Sequence, residues 1–243
     1  MSDRRTCARQ WAWGRAWSRA GAIADVLGRG TPRRFLAYTT RIALLLAGSL
    51  MIACAVAVML WNDFGPGPLD VFIGAVRTTA GIPLTFAVWL TVGSLVVIAW
   101  ALGRRPGPGT LVTPFLVGPV MQVALERLQA FSPPHDLVVH VAVHGLAIAT
   151  IGLGAGALIV SGLGAGSGEL LAAAASDRTG RPEPRLRMGF ELAFLVLGVA
   201  LGGPIGPGTL MVAVLIGPSV ATGYRVVDAW AVASRRRVAI VVP

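Results

Sequence analysis

Residues 107–119 read GPGTLVTPFLVGP, and residues 206–218 read GPGTLMVAVLIGP. The match extends well beyond these stretches. With the chain laid on itself at an offset of 99 and no gaps, residues 65–119 share 17 identities in 55 positions with residues 164–218. Gly65 and Gly67 fall on Gly164 and Gly166, Asp70 on Glu169, and Gly81 and Pro83 on Gly180 and Pro182. Shared composition explains scattered identities but not a single register held across a whole unit. The chain therefore reads as an internal duplication, and its fold has to be built from two copies of one unit.

Charge decides what surrounds that unit. Of 243 residues 13% are charged and 55% hydrophobic, and the mean hydropathy is +0.72. Soluble domains carry about 25% charged residues. Uncharged runs cover 42–62, 78–103, 106–125, 137–168 and 192–224, and roughly 20 apolar residues suffice for a helix to cross the hydrocarbon core. The last run is broken by GGPIGPG at 202–208, where proline lacks a donor and glycine favours a turn. Six crossing helices are thus expected, Arg41–Trp61, Pro83–Leu102, Thr110–Leu128, Leu137–Val160, Leu186–Gly202 and Thr209–Tyr224.

All 21 basic residues are arginine, and the net charge is +10. These arginines flank hydrophobic spans, so membrane orientation explains them better than nucleic-acid binding. With both termini cytoplasmic, only Arg77 and Arg127 fall outside; a five-helix reading would carry the C-terminal arginines outside as well. The expected location is a membrane, crossed several times, with the N- and C-termini on the cytoplasmic side. The expected organisation is a basic, Trp-containing interfacial extension (1–40), a first membrane repeat (41–128), a second (129–225) and a basic cytoplasmic tail (226–243). The absence of lysine excludes a P-loop or Schiff-base chemistry. No catalytic Ser/His/Asp set shares a face, so neither an enzyme nor a bound cofactor is expected.

Each unit carries three crossing helices. An odd number starts the second unit from the opposite membrane face, so the two repeats are expected to be inverted, an arrangement that recurs in secondary transporters. The fold class is an all-α polytopic membrane protein, each repeat holding a glycine-rich break and a short half-helix. Those breaks read GPGPLDVFIGAVR (65–77) and GAGSGELLAAAAS (164–176). Each places an acidic residue just after the glycines, Asp70 and Glu169, and an intramembrane carboxylate marks an ion or proton path. An acid in the first turn of a helix also simply complements the helix dipole, and both readings stand at this point. Candidate backbone sites are Gly65, Gly67, Gly164, Gly166, Thr110 and Thr209, the two threonines being expected N-caps. His140 and His144 share a face with Asp136 but lack the glutamate of a zinc-protease motif. Glu191 follows Arg187 by four residues and is expected to pair with it. Gly152, Gly154 and Gly156 are expected to allow close helix packing.

DFGPGPLDVFIGA (63–75), GIPLTFAVW (81–89), GRRPGPGTLVTPFLVGP (103–119) and the second-half motifs GLGAGSGELLAAA and LGGPIGPGTLMVAVLIGP resemble the YczE/YyaS/YitT group of bacterial integral membrane proteins over residues 35 to 225. The resemblance implies an inner-membrane protein of about this length and no particular reaction. Two functions follow from the residues. One is a transporter or facilitator for a small solute, coupled to protons or a cation through Asp70 and Glu169. The other is a non-transporting membrane accessory protein that scaffolds a protein partner through its basic ends. Association into a homo-oligomer is compatible with either.

Overall fold

The computed structural model describes residues 31–134, 136–164 and 166–241. Within them the chain is all helix: α1 (Thr31–Trp61), α2 (Pro68–Ala80), α3 (Leu84–Ala101), α4 (Pro108–Leu128), α5 (Leu137–Ser161), α6 (Ser167–Thr179), α7 (Glu183–Ala200) and α8 (Pro207–Val241). The interfacial extension expected over 1–40 lies outside the described residues up to position 30, as does His135. α1 starts ten residues before the first expected span, and α8 continues from its apolar part through position 241 without a break.

Five of these helices are long and apolar enough to cross a membrane: Tyr38–Trp61 within α1, α3, α4, α5 and Pro207–Val232 within α8. The remaining expected span corresponds to α7, which has the length of α3 but carries Arg185, Arg187 and Glu191 in its first half. The protein is a multi-pass membrane protein, all helical among the described residues.

Proline and glycine set the helix boundaries, and they recur at the repeat offset. α2 follows N-cap Gly67 with Pro68 in first position, where its missing N–H costs nothing, and stops at Gly81 in the left-handed region (φ 63°). α6 follows N-cap Gly166 and stops at Gly180 (φ 66°). Moving α2 and α3 by 99 residues reproduces the bounds of α6 and α7, and the start of α4 becomes the start of α8. The threonines of the doubled bend are not N-caps. Gly107 caps α4 with Pro108 in first position, which leaves Thr110 one turn inside the helix. Thr209 holds the matching place in α8, and its hydroxyl accepts the Gly206 N–H at 3.4 Å.

Why the bend is written twice is now plain. The Gly109 N–H donates to the Leu163 carbonyl at 2.9 Å, and the Gly208 N–H donates to the Phe64 carbonyl at 2.7 Å. These two bonds are images of each other at the 99-residue offset. At each, one unit's GPG bend lies against the other unit's glycine break. A Cβ on Gly206 would fall on the Phe64 carbonyl, and one on Gly107 would fall 3.0 Å from the Gly164 Cα. Only glycine permits such backbone approach.

α1 and α5 run antiparallel between these crossings. Arg41 near the start of α1 donates to the Ser161 and Gly162 carbonyls at 2.7 and 3.0 Å, where α5 ends. Asn62 just after α1 donates to the His140 carbonyl at 3.1 Å, where α5 begins. Gly152 and Gly156 lie against Ser219 and Gly223 of α8, and Gly154 against Gly48 of α1. The small-residue face of α5 does bring the helices together, on two sides.

Candidate functional site

Both acidic half-helices meet α7. On α6 the first-turn carboxylate of Glu169 accepts from Arg187 Nη1 at 2.6 Å. One turn along α7, Glu191 Oε1 stands 4.0 Å from Arg187 Nε. The expected i, i+4 pair therefore forms at its outer limit, and the closer partner of Arg187 comes from another helix. On α2 the first-turn carboxylate is Asp70, close enough to Glu191 to feel its charge. Burial, and secondarily that charge, push the Asp70 carboxyl up to about 7. These groups make a polar file, with Glu169, Arg187 and Glu191 paired and Asp70 within reach of the Glu191 charge, at which both half-helices meet α7. The Val71 carbonyl and Phe72 backbone of α2 pack on Gly203 and Gly198 at the end of α7, and the Phe72 and Phe194 rings lie 5.8 Å apart. Side chains wider than glycine at 198 and 203 would hold α2 away and separate Asp70 from Glu191.

A cavity of about 410 Å³ reaches Asp70 from one side. Its inner wall is the buried apolar set Ile73, Leu84, Met121 and Leu125. Its exposed rim includes Asp63, Arg77 and Phe131. Asp70, Ile73, Gly74, Arg77 and Thr78 all line it from α2, at the spacing of a single helical face. The Trp61 indole, which also lines it, donates to the Phe131 carbonyl at 2.9 Å and ties the end of α1 to the segment after α4.

The six backbone candidates separate into two places. Gly65 (φ 111°) packs on Gly206 and the Thr209 hydroxyl, and Gly164 packs on the Thr110 backbone and hydroxyl. Gly67 and Gly166, the two N-caps, each lie beside the carboxylate of their own half-helix, Asp70 and Glu169. The loop N–H groups of Gly109 and Gly208 are engaged by carbonyls across the crossings. Of the histidine stripe, Asp136 caps α5 through the Val138 N–H at 2.7 Å. His140 stacks on Phe64 with ring centroids 5.7 Å apart, and His144 is fully buried against the edge of Phe64 and beside Gly208. His140 and His144 thus pack on Phe64, in the loop that follows α1. The Arg187–Glu169 contact is the feature the sequence did not disclose. Its trace is that Arg187 and Glu191 fall on Val88 and Val92 of the first unit, two charges where the other copy is apolar.

The model of a family described as a family of unknown function (DUF6198) matches residues 20–126 and 110–224. The chain belongs to this family. A relative in Bacillus subtilis (strain 168), described as the uncharacterized membrane protein YczE, is 31% identical over 175 residues, covering 70% of this chain and 79% of the relative. No solved structure matches. The DUF6198 match and the YczE identity agree with the resemblance read from the glycine-rich motifs, and the relative is itself described as a membrane protein.

Proposed function

We propose that this DUF6198 protein is a secondary transporter or facilitator for a small solute, built from two inverted three-helix repeats. The supporting observation is the file Asp70–Glu191–Arg187–Glu169, at which both half-helices converge on α7, with a cavity reaching Asp70 from one side. Glu191 stands eight residues into α7, about 12 Å along a helix about 27 Å long. That is near the middle of a hydrocarbon slab of about 30 Å. Three carboxylates around one guanidinium carry net charge −2 when all are ionised. Such an excess is costly away from water, so protons or a cation are held there and given up as the solute moves.

The inverted reading draws on the antiparallel α1 and α5 and on the reciprocal bonds Gly109–Leu163 and Gly208–Phe64. The arginine distribution puts both termini on the cytoplasmic side of the inner membrane. The Asp70 cavity, beside the end of α1, then opens outward. Glu169, under Arg187, faces the inward half. Rocking one unit against the other exchanges the two environments.

Proteoliposomes loaded with a pool of small cell metabolites test this reading by mass spectrometry of what leaves under an imposed pH gradient. Wild-type protein releases a defined subset; Asp70→Asn and Glu169→Gln each reduce that release at least about tenfold. Release indifferent to both substitutions rejects the roles assigned to the carboxylates. No release from any vesicle favours the accessory role.

A further inference from the structure

The two units differ at one chemically decisive place. In the second, Glu169 is neutralised by Arg187 at 2.6 Å. The first unit has Val88 at the position of Arg187, and among the described residues Asp70 forms no salt bridge. Asp70 instead borders the cavity. We propose that this cavity binds a monovalent organic cation, an amine with an apolar body, whose nitrogen takes against Asp70 the place that Arg187 takes against Glu169. The proposal deepens the transport reading and rests on it for the passage of the ligand across the membrane.

The surroundings narrow the class. Ile73, Leu84, Met121 and Leu125 are buried and apolar, so the ligand's body has to be apolar to be held there. Trp61 and Phe131 line the same space, and aromatic faces attract cations. The remaining charges on the cavity are Asp63 and Arg77, both exposed, where water screens them. Arg77 stands two turns along α2 from Asp70 and repels a second positive charge, which disfavours diamines. From α7, Glu191 adds negative potential at Asp70, and Arg187 is engaged with Glu169. A cavity of about 410 Å³ accommodates a phenyl ring with a short aminoalkyl chain. With the Asp70 carboxyl raised to about 7, the proton and the amine compete for one oxygen pair. Binding therefore strengthens as the pH rises through that value, by about tenfold between pH 6 and 8.

Equilibrium dialysis of the purified full-length protein with radiolabelled phenethylammonium, alongside a pH-indicator dye in weak buffer, tests this. Saturable binding with proton release is expected, and about thirtyfold or more weaker binding of 2-phenylethanol and phenylacetate. Asp70→Asn abolishes both signals, Asp70→Glu retains them, and Asp177→Asn, an exposed carboxylate paired with Arg104 and not on the cavity, stays within about threefold. Equal binding of the alcohol or the acid overturns the proposal, as does amine binding unchanged in Asp70→Asn. Metabolite release that depends on the carboxylates without amine binding rejects the ligand class and leaves transport standing. Amine binding without any release does the reverse.

Discussion

Arg187 holds the charge balance of the acidic file. It is about one-third exposed, and Glu169 one-quarter, so their pairing contributes on the order of 1 kcal/mol or less to stability. Its larger effect is on the acids: without it, two glutamates face each other uncompensated. A thermal-denaturation cycle with Arg187→Gln and Glu169→Gln is expected to give a coupling of about 0.5–1 kcal/mol, together with loss of release by Arg187→Gln. Zero coupling would show the contact to be incidental. His144 offers the opposite case. It is fully buried, and the Gly208 backbone approaches its ring without the geometry of a full hydrogen bond; the first unit has Leu45 at that position. Leaving a buried polar group unpaired costs about 1–3 kcal/mol, so His144→Leu is expected to raise the Tm in detergent without changing release. A lower Tm would assign the imidazole a bond. At this scale the sequence disclosed the matched acids, because duplication set them side by side. It did not disclose the bridge from Glu169 to Arg187, because that contact joins two helices and local spacing favoured Glu191.

At the scale of elements, glycine decides where helices touch. Gly223 of α8 lies against the Gly152 carbonyl, and a Cβ there has no room. Gly223→Leu is therefore expected to force α5 and α8 apart and to destabilise by about 1–3 kcal/mol. Gly145, in α5 with open space around it, is the control, and Gly145→Leu should leave stability unchanged or raise it by up to about 1 kcal/mol. Equal effects at both positions would show that close approach is not the cause. The half-helices were legible because Gly67 with Pro68, and Gly166, punctuate the chain at matched places. The N-caps were misread. A proline after glycine starts a helix one turn before the threonine that also suits a cap. The length of α8 escaped notice for a different reason. Arg225 ends the uncharged run, yet arginine is a good helix former, so the helix outlasts its hydrophobic signal.

For the whole molecule, the proposed transport requires the two units to be upside down relative to each other. An odd number of spans expected in each unit is the reason to propose it. What sequence patterns did not convey is that the joint is backbone on backbone, through Gly109–Leu163 and Gly208–Phe64, since such bonds leave only a glycine requirement in the letters. The direct measurement is impermeant thiol labelling in right-side-out and inside-out vesicles. Single cysteines would replace Arg105 and Ile205, exposed residues in the two copies of the bend, with Cys7 and Cys54 changed to Ser. Inversion predicts that Arg105→Cys reacts only from the cytoplasmic side and Ile205→Cys only from the outside; both reacting from the same side would contradict it.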